Sequence, residues 1–140
     1  MPDDDTTNMQ AEQEIGARTA PHQGFMLMQQ LTIYIKETDH VAHRPLYLKV
    51  LELIKENNGA GATMLKGVAG YSSSSHAIQT AGFADIQHKL PLVIVVVETA
   101  AWIEAILPQL EALLQSCGGL LTIQHLEAHR YLHPNLPKKE

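Results

Sequence analysis

One cysteine, Cys117, in 140 residues excludes an internal disulfide, and the N-terminus lacks the basic start and apolar core of a secretory signal. A cytoplasmic, reducing compartment is expected. No apolar run comes near the roughly 18 residues of a membrane-spanning helix. The longest, Leu90 to Val97, contains Pro91, and no membrane insertion is expected. Basic surplus is missing as well: 10 Lys and Arg face 15 Asp and Glu, a formal charge of −5, with no arginine cluster. Binding of nucleic acid depends on neutralising phosphates, so nucleic acid is not an expected partner.

The common chemical signatures are absent too. A Walker-type phosphate loop places lysine and a hydroxyl after its last glycine, ahead of a helix. In the stretch GAGATMLKGVAGYSSSSHAIQTAG, Gly59 to Gly82, Lys66 instead precedes Gly67. The dinucleotide pattern G-x-G-x-x-G also fails, because after Gly59 and Gly61 the next glycine is Gly67. No nucleophile has an evident base, and no two carboxylates are placed to work as a pair. An enzyme is not expected.

What remains is one domain's worth of patterned segments. Residues 1–26 form an acidic polar tail, with Asp3, Asp4, Asp5, Glu12 and Glu14 against Arg18 alone, and should be disordered. Residues 27–131 carry the pattern, and residues 132–140 are a C-terminal tail. From Leu27 to Lys36 apolar and polar residues alternate as in a half-buried strand. Pro45 suits a helix start, and Leu46, Val50, Leu53 and Ile54 make one apolar stripe that stops at Asn57-Asn58-Gly59. Ala62 to Gly70 reads as a strand, and Leu92 to Val97, apolar throughout, as a strand buried on both faces.

Thr99 can cap a second helix with a stripe of Ile103, Ile106, Leu107, Leu110, Leu113 and Leu114, in which Pro108 predicts a bend. Gly118-Gly119 ends it, and Leu120 to His129 offers a last strand. The order strand, helix, strand, strand, helix, strand predicts an α+β, ferredoxin-like βαββαβ domain. Its four-stranded antiparallel sheet carries two helices on one face. The other face stays bare and apolar, which predicts that further copies cover it.

Four segments together resemble the PII-like signalling proteins. They are Gly61-Ala62-Thr63-Met64-Leu65-Lys66-Gly67-Val68-Ala69-Gly70-Tyr71, the run Leu90 to Glu98, Leu31-Thr32-Ile33-Tyr34-Ile35, and Arg44-Pro45-Leu46-Tyr47. The last two narrow the likeness to the subfamily known as domain of unknown function number 190. It spans about Leu27 to Glu127.

The resemblance implies a homotrimer with its sheets facing inward. It also implies a long loop, residues 71–89, that contacts a target protein such as a transporter or an enzyme. A small anionic effector, an adenine nucleotide in PII proteins, is implied at clefts between subunits near the loop's base. On this chain the matching positions are Gly61, Thr63, Gly67, Gly70 and Tyr71. Lys66 and Arg130 are the cations closest in sequence, and Ser72, Ser73, Ser74, Ser75 and His76 begin the loop. The serine run supplies hydroxyls and backbone amides for an anion, or is a solvated linker.

The pattern departs in two places. Ser116-Cys117-Gly118-Gly119-Leu120 stands where PII proteins carry lysines for phosphates, which argues against triphosphate binding in their manner. Ile78-Gln79-Thr80 replaces the subfamily's Ile-His-Thr, with His76 nearby.

Eight histidines raise the alternative of a trimeric metal-binding protein of metal-tolerance type, using His40, His43, His76 and His88 in loops. His125, His129 and His133 repeat every four residues, but on a strand they stand roughly 13 Å apart, too far for one ion. No metal site is expected. A purely structural interaction protein is the third class.

Overall fold

The computed structural model describes residues 24–73, 77–80 and 90–135. The acidic tail up to residue 23 and the end beyond 135 lie outside the described residues, as do Ser74, Ser75, His76 and His88. The elements follow the chain as β1 (Gly24–Lys36), β2 (His40–Val41), β3 (Arg44–Pro45), α1 (Leu46–Glu56), β4 (Thr63–Lys66), β5 (Ala69–Gly70), β6 (Gln79–Thr80), β7 (Pro91–Glu98), α2 (Ala100–Cys117) and β8 (Leu120–Arg130). Contacts divide the chain into Gln29–His125 and a second unit, Met1–Met28 with Leu126–Glu140.

Gln29–His125 has the expected ferredoxin-like architecture. The four-stranded antiparallel sheet runs β4-β7-β1-β8, so the two long central strands are those with the strongest apolar pattern. Register sets Leu31 opposite Val96, Ile33 opposite Ile94 and Ile35 opposite Leu92. Paired residues of an antiparallel ladder point to the same side. These six therefore share one face, where they are buried with Leu46, Val50 and Ile54 of α1 and Ile103, Ile106 and Leu110 of α2. Each such side chain contributes about 1.5–3 kcal/mol on burial, which makes this layer the main source of stability.

The caps are those the chemistry calls for. Thr99 Oγ1 accepts from Trp102 N–H at 3.2 Å at the start of α2, and Asn58, in the left-handed region at φ 59°, follows the end of α1. The Trp102 indole N–H donates to the Asn57 carbonyl at 2.8 Å, tying the two helices. α2 runs through Pro108 as one helix of 18 residues. Outside, an open groove of about 400 Å³ lies between the helices. There the Arg44 guanidinium grips both carboxylate oxygens of Glu52 and holds that carboxyl below its usual range. The pair is exposed, so it adds little.

Two local features differ from the sequence reading. The segment expected as a loop before α1 contains the β2-β3 hairpin, whose turn residues Ala42 and His43 have φ 52° and 65°. A two-residue hairpin turn requires that left-handed geometry even from residues that disfavour it. The single strand expected over Ala62 to Gly70 is also two strands. Gly67 N–H donates to the Pro91 carbonyl at 2.8 Å, and after this break β5 pairs with β6 in a ribbon of its own.

In the second unit the described residues belong to the outer ends of β1 and β8 and to the chain as far as Asn135. There His129 Nε2 lies 2.7 Å from Glu127 Oε2, and Asn135 N–H donates to His133 Nδ1 at 3.1 Å.

Candidate functional site

Two of the segments singled out by the sequence meet at the end of the sheet where β1 stops and β7 begins. A tight turn follows β1: Asp39 N–H donates to the Lys36 carbonyl at 3.1 Å, while Asp39 Oδ2 accepts from Lys36 N–H at 2.9 Å. Asp39 is thereby fixed, with only 9% of it exposed, and its Oδ1 is 3.8 Å from Lys36 Nζ. On the other side, Gly118 caps α2 with φ 79°, and the two glycines bring the chain close over β1. A Cβ on Gly119 would sit 3.0 Å from the Tyr34 carbonyl oxygen.

Between these turns and the loop base lies a cavity of about 460 Å³. Tyr34, Ile35, Pro91 and Leu120 give it an apolar floor. Lys36, Asp39 and Gln79 provide polar groups, and Gly118 and Gly119 form one wall. Gly70, Tyr71, Ser72 and Ser73 complete it from the loop. Such a mixed concavity, apolar with a few convergent polar groups, suits a small polar ligand with a flat apolar part.

The expected residues are therefore only partly brought together. Gly70, Tyr71, Ser72 and Ser73 line the cavity, whereas Gly61, Thr63, Lys66 and Gly67 are not among its lining. Thr63 opens β4 and Lys66 closes it. Lys66 Nζ pairs with Glu37 Oε1 at 3.0 Å, so the cation expected for an anion is engaged by a carboxylate outside the cavity. Arg130 lies in the other unit. Lys36, Asp39 and Gln79 were not anticipated. Asp39 three residues after a strand's final lysine is the pattern of a side-chain-closed turn, the one signal that pointed to it.

The glycines at the loop base have a packing reason. A Cβ on Gly67 would lie 2.6 Å from Pro91 Cγ, and one on Gly70 3.0 Å from the same atom, so both glycines make room for the proline ring. By contrast, a Cβ on Gly61 would meet nothing within 4 Å. Gly67→Ala is expected to cost about 1–3 kcal/mol, the range for overpacking against a rigid neighbour. Chemical denaturation measures the loss. Amide exchange should show it concentrated at Gly70 and Gln79, because the ribbon lies directly beyond the displaced proline.

Among the described residues no group of three His, Cys, Asp or Glu is placed to hold a metal ion, and no helix is long and apolar enough to cross a membrane.

Comparison with known proteins agrees with this architecture. CPII of Thiomonas intermedia K12, a nitrogen regulatory PII-like protein solved with ADP, AMP and bicarbonate, superposes with a TM-score of 0.59. The match is at 12% identity over 76% of this chain and 92% of that one. A protein of Thermus thermophilus described as PII-like and signalling gives a TM-score of 0.57 at 13% identity, over 76% and 93% of the two chains. The fold is thus PII-like. The model of the DUF190 family, described as "Uncharacterized ACR", matches residues 28–128, and the chain belongs to that family. A UPF0166 protein of Aquifex aeolicus strain VF5 is 26% identical over 97 residues, 69% of this chain and 89% of the relative.

Proposed function

We propose that the protein is a ligand-responsive regulator that binds a small anionic effector, an adenine nucleotide, at the base of its long loop. The loop, residues 71–89, then signals occupancy to a target protein such as a transporter or an enzyme. The observation that carries this reading is the cavity itself. It joins the start of the loop, Gly70 to Ser73, to the turn Gly118-Gly119 and to Lys36, so a bound molecule touches the segment that must respond. The PII-like protein of Thiomonas, solved with ADP and AMP, lends the ligand class.

The assembly belongs to the same proposal. On the sheet face away from the helices, Tyr34 and Leu65 are 43% and 56% exposed with Val93 between them in register, and Val95 follows on the same face between Thr32 and Thr63. A homotrimer with these faces inward would cover them and set the cavity at a subunit cleft, where Arg130 of a neighbouring copy could serve as a second cation. Residues 27–131 are the folding domain in this reading, and catalysis has no part in it.

Calorimetry on the full chain with adenine nucleotides, cyclic dinucleotides and divalent ions tests the reading. An adenine nucleotide should bind, and Gly70→Leu, which fills the loop side of the cavity, should lower its affinity at least about tenfold, roughly 1.4 kcal/mol. Unchanged affinity in a folded Gly70→Leu protein would move the site elsewhere. Lys66→Ala should act less, through the ribbon, because Lys66 is held by Glu37.

A further inference from the structure

We infer that Asp39 makes this cavity select its anion by charge, so that a nucleoside monophosphate binds in preference to the triphosphate. The inference rests on the effector site proposed above and adds the rule by which that site chooses. Among the described lining residues there is one cation, Lys36, and one anion, Asp39, and the two lie 3.8 Å apart. The described lining therefore carries no net positive charge.

Asp39 is not free to turn away from an incoming phosphate. Its side chain is 9% exposed, and the Lys36 N–H holds Oδ2 at 2.9 Å. Its field is a fixed feature of the wall, felt more strongly than in water because solvent is partly excluded. Among the described residues the other lysine at this end of the sheet, Lys66, is paired with Glu37 at 3.0 Å. The turn 116–120 adds backbone groups and a serine but no base.

One phosphate can be met by Lys36 and by the Gly119 N–H and the N–H and hydroxyl of Ser73, which cost no compensating charge. Each further phosphate brings negative charge toward a buried carboxylate, with no second cation in the described lining to meet it. Apolar and aromatic groups, Tyr34, Tyr71 and Pro91, are left to hold the base, which is common to every member of the series.

The experiment is a charge ladder on the full chain, with adenosine, AMP, ADP and ATP titrated by calorimetry at one ionic strength without divalent ions. AMP should bind roughly tenfold or more tightly than ATP, the scale of one added charge interaction across a partly buried site. Asp39→Asn keeps an oxygen to accept from Lys36 N–H while removing the charge, and should narrow the AMP-to-ATP ratio by roughly tenfold. Lys36→Gln should weaken AMP and leave adenosine unchanged, a readout that survives if Asp39→Asn does not fold. ATP binding as tightly as AMP to the unaltered protein would overturn the charge rule while leaving the effector site standing. A folded Asp39→Asn protein with an unchanged ratio would also overturn it, as would a Lys36→Gln protein that binds AMP as before. Failure of all four compounds to bind would overturn the rule and the effector reading together.

Discussion

Glu98→Ala is expected to lower stability by about 3 kcal/mol, the sum of two hydrogen bonds to a charged acceptor at the low end of their range. Glu98 ends β7 on the buried face, with 7% of it exposed, yet its carboxylate is fully used. Oε1 accepts from Ala60 N–H at 2.6 Å and Oε2 from Thr99 N–H at 3.2 Å, so one side chain ties the link after α1 to the start of α2. Alanine removes the carboxylate acceptor of both donors. Glutamine is nearly as damaging, because its amide nitrogen must face one of the two N–H groups. Urea denaturation measures both variants, and a loss below about 1 kcal/mol for alanine would show that water replaces the carboxylate at little cost.

Val95→Asp is expected to convert an assembly of three times the 15.4 kDa chain into single chains, with little loss of fold in each. Val95 faces away from the helices, opposite Thr32 on one side and Thr63 on the other, and is only partly buried in the isolated chain. In a lone chain an aspartate there keeps its water. Against a second apolar sheet it would have to shed that water, at a cost of several kcal/mol per subunit. Sedimentation distinguishes the outcomes. A single chain before the substitution, or an unchanged assembly after it, would each rule out packing through this face.

The fold was readable in the sequence because its signals are local and repeated. Alternation in β1, the unbroken apolar run in β7 and the stripes of α1 and α2 each depend only on the period of their own backbone. The β2-β3 hairpin escaped because Ala42 and His43 are neither glycine nor asparagine, so nothing in the residues announced a left-handed turn. The division of β4 from β5 escaped for a different reason. Gly67 still bonds to the Pro91 carbonyl at the start of β7, twenty-four positions later; only beyond it does the chain leave the main sheet, and no local pattern encodes that partner. Of the positions taken from the resemblance, Gly70 and Tyr71 border the cavity, while Gly61, Thr63 and Gly67 do not. Lys36 and Asp39 were not anticipated, since which of the two lysines lines the cavity is decided by register. Lys36 ends β1 beside the turn, whereas Lys66 ends an edge strand beside Glu37.

The β5-β6 ribbon has a practical use for engineering. Its ladder joins Ala69 to Thr80 and Gly70 to Gln79, so the chain leaves the body and returns through two strands already held side by side. A foreign peptide spliced between Ser73 and Ala77 would extend a loop whose ends are already closed, and doubling that loop's length costs only about 0.6 kcal/mol. Since Ser72 and Ser73 still border the cavity, a fluorescent reporter grafted at this point would ride on a segment that lines it. With the proposed effector bound there, the chain would serve as an encoded small-molecule biosensor, its graft point set by two rungs of a ladder.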